Sequence, residues 1–143
     1  MINPITRLSH RIHNEAEMLA FADQFAKTIP ATGCIALWGD LGAGKTTFAR
    51  QLIRSLAKDA DLVVPSPTFT LVQLYEFPQQ TLWHCDLYRL TEPEECLELG
   101  VLEAMQTALC LIEWPDRMGR YLPDNRLDIR ITVTGDSERI VAF

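Results

Sequence analysis

The nine residues GDLGAGKTT, Gly39 to Thr47, constrain this chain more than any other stretch. They match the pattern G-x-x-x-x-G-K-[ST] with Gly39, Gly44, Lys45 and Thr46 at the fixed positions. In front lies CIALW, a short continuous apolar run of the kind that forms a strand buried on both faces of a parallel sheet. Behind lies a helical period, with Phe48, Leu52 and Leu56 at four-residue steps and Ala49 and Ile53 beside them. A strand, a glycine-rich loop and a helix in that order make one unit of an α/β fold whose loop amides can point inward at an anion, aided by the positive end of the helix dipole. The candidate nucleotide contacts are therefore Asp40, Leu41, Gly42, Ala43, Gly44, Lys45, Thr46 and Thr47. Lys45 would reach the β- and γ-phosphates, and the Thr46 hydroxyl would ligate Mg²⁺.

A dinucleotide-binding turn is the nearest rival and fails on spacing. Counting G-x-G-x-x-G from Gly42 through Gly44 puts Thr47 where the third glycine belongs. Phosphoryl chemistry also needs carboxylates at the ends of neighbouring strands, to hold a metal and orient the attacking group. Two are available: Glu113 closes the apolar run ALCLIE, a Walker B arrangement with Glu in place of the commoner Asp, and Asp86 closes TLWHCD. As ordinary residues, Glu113 would be an exposed strand-end charge and Asp86 the cap of a local turn. Lys45, Asp86 and Glu113 are the candidate catalytic residues, with Thr46 and Glu113 the candidate metal ligands. Thr68 and Thr70 in SPTFT follow the phosphate helix, where nucleotide switches sense the γ-phosphate; their alternative is a plain surface turn.

The remaining patterns fit one domain of 143 residues. Asn14 can cap a helix carrying Met18, Leu19, Ala22, Phe25 and Ala26, ending before Pro30. TLVQLYEF and TLWHCDLY look like a hairpin, Thr91 and Glu94 like a capping box for a short acidic helix broken at Gly100, and ALCLIEW like a second buried strand. LDIRITVTGDSERIVAF alternates on either side of Gly135-Asp136, which reads as a terminal antiparallel hairpin at the sheet edge. The expected fold is α/β, a P-loop NTPase-like three-layer αβα sandwich with a mixed, mainly parallel central sheet and antiparallel edge hairpins.

A formal net charge of -6 argues against holding nucleic acid by phosphate neutralisation alone. Met1 to His13 has no apolar core for a signal peptide, and the longest apolar runs are too short to cross a bilayer, so a cytoplasmic location is expected. Cys34, Cys85, Cys96 and Cys110 lack the short spacings of zinc or redox motifs and read as reduced, buried thiols; metal ligation by His84 with Cys85 would need a second pair that the spacing does not provide.

Four segments in this order, GDLGAGKTTFAR, SPTFTLV, HCDLYRL and LIEWPDR, resemble the TsaE family, formerly YjeE, of bacterial P-loop ATPases needed for threonylcarbamoyladenosine modification of tRNA. The resemblance spans nearly the whole chain, and the second and third segments discriminate it from the wider superfamily. It implies a single P-loop ATPase domain over residues 1–143, slow alone and working with TsaD and TsaB, with tRNA met only indirectly through that complex. It also implies ATP and Mg²⁺ as cofactors, metal held through Thr46 and Glu113, a functional acid at Asp86, a switch-like SPTFTLV loop, and Trp114 close to the nucleotide.

Two other functions share the same loop. A small-molecule kinase would need an arginine-bearing lid, for which DRMGRYLPDNR offers Arg117, Arg120 and Arg126. A non-hydrolytic nucleotide switch would differ only in turnover. Arg50, Arg54 and Lys58 fall on one helix face and would be either a solvated row or a partner contact.

Overall fold

A computed structural model of the chain describes residues 9–143. Its strands are β1 Ser9–Ile12, β2 Gly33–Trp38, β3 Val72–Glu76, β4 Thr81–Asp86, β5 Leu109–Glu113, β6 Leu127–Val133 and β7 Arg139–Ala142. They form one sheet in the order β1-β7-β6-β2-β5-β4-β3. The four middle strands β6, β2, β5 and β4 run parallel, and antiparallel pairs finish both ends. Helices α1 Glu15–Ala26 and α2 Lys45–Ala57 cover one face; α3 Glu95–Glu98, α4 Val101–Ala104 and the 3-10 segment Pro115–Tyr121 cover the other. The αβα sandwich expected from the sequence is the observed fold.

Strand alternation sorts the core into two halves. Ile35 and Leu37 of β2 and Leu109 and Leu111 of β5 meet Phe48, Leu52 and Ile53 of α2 and Met18, Ala22 and Phe25 of α1. The residues between them, Cys34, Cys110 and Ile112, join Leu87, Val101 and Met118 on the other face. Each large side chain so buried stabilises the fold by roughly 1.5–3 kcal/mol. The α1 boundary follows the sequence, with the Asn14 side chain accepting from the Glu17 amide at 2.9 Å.

Two readings need correction. The C-terminal hairpin is not at the sheet edge: β6 pairs parallel with β2 in the interior, and β1 forms the edge by pairing with β7. β6 buries Ile129 and Ile131 on the α1/α2 side while Arg130 and Thr132 face solvent, so its half-polar pattern reflects one uncovered face rather than an outer position. β1, SHRI, offers one buried apolar residue in four and therefore no period to read. The residue that reaches back to Thr91 is Glu95, not Glu94; its carboxylate accepts from the Thr91 and Glu92 amides at 2.8 and 3.2 Å, and the helix starts at Glu95 rather than directly after Thr91. The reading of the N-terminal stretch also includes residues 1–8, which lie outside the described residues. No helix among the described residues is long and apolar enough to cross a membrane.

All four cysteines are buried and unbridged. Burial pushes the Cys34 and Cys110 thiols up to about 12, and Cys85 well above its ordinary value. Titration of the native protein with Ellman's reagent at pH 8 should therefore label almost no thiol, and all four after denaturation in guanidinium; rapid labelling of the native protein would contradict this packing.

Candidate functional site

The loop joining β2 to α2 lies at the carboxyl ends of parallel strands, where ligands of open α/β sheets gather. Its path depends on Gly39. A Cβ there would meet the Ile131 carbonyl oxygen at 2.7 Å, so only glycine lets the loop pass this close to β6. Gly44, at φ 108°, makes the left-handed turn into α2. No side chain caps that helix start, which leaves the first-turn amides to an anion. From β7, the Arg139 Nε donates to the Ala43 carbonyl at 2.9 Å and steadies the loop from behind.

Lys45 folds back under this loop. Its Nζ donates to the Gly39 carbonyl and, at 3.0 Å, to the Asp40 carbonyl, and it sits 4.2 Å from the centre of the Trp114 ring. Burial pulls the Lys45 pKa below its ordinary value, against the opposing pull of Glu113, Asp86, Asp40 and Asp116. A phosphate placed in the loop would give this desolvated ammonium a counter-charge. Trp114 is itself held at φ 59° between Glu113 and Pro115, and its ring leans on Tyr88 at 4.9 Å. Such a left-handed conformation in a bulky residue costs on the order of 1–2 kcal/mol.

The two acids meet through strand register. Asp86 ends β4 and Glu113 ends β5, and the parallel ladder sets them side by side. Their exposures are 5% and 2%, far from the solvated strand-end charge that each could have been. The Thr46 hydroxyl donates to Glu113 Oε1 at 2.9 Å, while the other oxygen of Glu113 contacts His84 Nε2 at 2.6 Å. Beside it, Asp86 accepts from the Thr68 hydroxyl at 3.1 Å and from the Tyr88 amide at 3.1 Å. The two Thr–carboxylate pairs flank one cleft of about 260 Å³, with Leu41, Gly42 and Trp114 at its walls.

The donor set fits a small hard cation. Magnesium takes one or two protein oxygens and fills the rest of its shell with phosphate and water. Thr46 and Glu113, 2.9 Å apart, would supply that pair, and no group of three or more His, Cys, Asp or Glu among the described residues is arranged to hold a metal by itself. His84 and Cys85 do not act together, because β4 sends them to opposite faces of the sheet.

Of the other expected contacts, Gly44 and Thr47 line the cleft, whereas Asp40 is exposed outside it and contributes its carbonyl to Lys45. Ala43 is buried behind the loop. Thr70 accepts from Gln73 at 3.0 Å and does not reach the acids. Arg50 and Arg54 are not a free row: they donate to the Val64 and Leu62 carbonyls at 3.3 and 2.9 Å, tying down the segment that leads to the SPTFT loop. Arg117 lies over Tyr88, Arg120 pairs with Glu94, and Arg126 pairs with Asp128, so none of the three lines the cleft. Arg139 escaped the sequence reading, and His84 entered it only as a metal ligand beside Cys85, not as the partner of Glu113. That partnership was within its reach, since residues two apart on a strand share a face and Asp86 follows at that step.

Comparison with known proteins places these features in a family. The family model described as threonylcarbamoyl adenosine biosynthesis protein TsaE matches residues 12–141. A Rickettsia bellii protein named tRNA threonylcarbamoyladenosine biosynthesis protein TsaE is 40% identical over 90% of this chain and 89% of its own length. A Bacillus subtilis protein of the same name is 36% identical over 96% and 85%. The solved structure of Bacillus subtilis YdiB superposes with a TM-score of 0.78 at 33% identity, covering 96% of this chain and 84% of that one.

The close approach at Gly39 has a measurable consequence. Gly39→Ala should lower stability in urea by on the order of 1–3 kcal/mol, the cost of forcing a group into packed backbone. Gly42→Ala, where a Cβ meets nothing within 4 Å, carries only the strain of φ 81° and should cost less. Equal urea midpoints for the two variants would contradict the role given to Gly39.

Proposed function

Because this chain belongs to the TsaE family, we propose that it is a Mg²⁺-dependent ATPase that serves threonylcarbamoyladenosine modification of tRNA, acting in the cytoplasm with TsaB and TsaD. The observation that carries the reading is the pairing of Thr46 with a buried Glu113 at the foot of the phosphate loop, with Asp86 in register beside it. A switch that never hydrolysed ATP would need the first feature but not the second acid. The kinase reading is less favoured, since none of the three candidate arginines lines the cleft.

In this reading the loop amides from Leu41 to Thr46 and the start of α2 hold the β- and γ-phosphates. Lys45 leaves the Gly39 and Asp40 carbonyls for the phosphate oxygens, where its charge opposes the negative charge that spreads over the transferred group. A Mg²⁺ ion bound between Thr46 and Glu113 would neutralise phosphate charge. Asp86 orients the attacking water, and Thr68, already bonded to Asp86, couples that acid to the SPTFTLV loop. The nucleoside would extend past Gly44 and Thr47 into the adjoining cleft lined by Asn14, Met18, Ser137 and Arg139. Charge agrees with an indirect role at tRNA: a chain of formal charge -6 is poorly suited to neutralise an RNA backbone. ATP and Mg²⁺ would order the SPTFTLV loop for docking, and hydrolysis would release it.

Steady-state ATP hydrolysis with Mg²⁺, alone and with purified TsaB and TsaD, tests this. The partners should stimulate turnover strongly. Lys45→Ala should lower it on the order of 10²-fold or more, the scale for losing one preorganised transition-state contact. Glu113→Gln and Asp86→Asn should bind ATP yet turn it over poorly. Variants of both acids that support tRNA modification fully without hydrolysis would favour the switch, and no stimulation with no complex would overturn the assignment of partners.

A further inference from the structure

His84 lies in the middle of β4, fully buried, and none of the roles above uses it. Its Nε2 is 2.6 Å from Glu113 Oε2, while Glu113 Oε1 is held by Thr46. The carboxylate is therefore gripped at both oxygens, from the metal side and from the core side. Its Nδ1 has no hydrogen-bond partner among the described residues. With Nε2–H donating to Glu113, that orphan is a bare acceptor, whereas the opposite tautomer would aim a lone pair at the carboxylate and bury an unmatched N–H. Sequence spacing puts His84 there because residues 84 and 86 share a face of β4 and the ladder sets Asp86 against Glu113.

We propose that His84 is a positioning residue whose Nε2–H fixes the rotation of the Glu113 carboxylate, so that its other oxygen faces the Thr46 hydroxyl and the Mg²⁺ that accompanies the nucleotide. This rests on the reading of Thr46 and Glu113 as the metal pair. Thr46 alone is a weak anchor, since its hydroxyl can rotate and carries no charge. A Glu113 free to turn would present its oxygens to the cation only part of the time. Outer partners of this kind typically alter metal affinity by about 10–100-fold when removed. Lys45 and the loop amides touch phosphate, not the carboxylate, so metal-free nucleotide binding does not pass through His84.

Calorimetric titration of ADP into the protein, in EDTA and then at rising Mg²⁺, separates these contributions. His84→Leu should bind ADP in EDTA as the unaltered chain does, yet need about tenfold or more Mg²⁺ for half of the metal-dependent tightening. His84→Gln, whose amide N–H can stand where Nε2–H stood, should restore the Mg²⁺ dependence. In a Glu113→Gln background, His84→Leu should change the Mg²⁺ requirement no further. If His84→Leu no longer binds ADP in EDTA, the packing has failed, and His84→Asn, an amide too short to reach Glu113, takes its place against His84→Gln. Unchanged Mg²⁺ dependence in His84→Leu, or loss in His84→Gln equal to that in His84→Leu, overturns the positioning role and leaves the metal pair standing. Absence of any Mg²⁺ effect in the unaltered chain overturns the metal pair itself, and the role of His84 with it.

Discussion

Glu113 is a carboxylate with 2% of its surface exposed, and taking such a group out of water is costly unless its oxygens are bonded. Much of the functional end of the sheet is arranged to meet that demand. Thr46 satisfies one oxygen from the start of α2, and His84 the other from the adjacent strand. The parallel register of β4 and β5 brings Asp86 alongside, and Asp86 in turn is occupied by Thr68 and the Tyr88 amide. The phosphate loop and Glu113 thus share one set of side-chain hydrogen bonds, and Asp86 and the SPTFT segment share a second set beside it. Removing a single member of either set would leave a buried polar group unpaired.

The same arrangement explains the position of Lys45. A desolvated ammonium among four acids is attracted to them but needs nearby oxygens, and the Gly39 and Asp40 carbonyls provide them. Those bonds are local and exchangeable. In the proposed function, phosphate oxygens would replace them. Gly39, pressed against β6, and Arg139, reaching in from β7, hold the loop in place.

Much of this was legible in the chain itself. The strand–loop–helix unit, both buried strands and the two acids could be found because each rests on a local signal: a fixed glycine spacing, a continuous apolar run, an acid at a run's end. What escaped depends on which strands are neighbours. The interior place of β6, the edge strand β1 and the contact between His84 and Glu113 are separated by many residues in sequence and become adjacent only through sheet order. Arg50 and Arg54 were misjudged for a related reason. Their helix face was correctly identified as polar, but the segment folding back over it, which supplies the Leu62 and Val64 carbonyls, carries no periodic pattern.

Two large apolar side chains near the cleft stand out in solvent. Leu41 on the phosphate loop and Phe69 on the SPTFT segment are 77% and 80% exposed, and the Arg89 guanidinium lies 5.1 Å from the Phe69 ring. The account stands on the identity of that cleft, and a crystal structure with Mg²⁺ and a non-hydrolysable ATP analogue tests it most directly. The account predicts β- and γ-phosphates within the loop from Leu41 to Thr46, Lys45 turned onto them, and the cation at the Thr46 hydroxyl with Glu113 in direct or single-water contact. A nucleotide bound elsewhere, or a cation remote from Thr46 and Glu113, would contradict it.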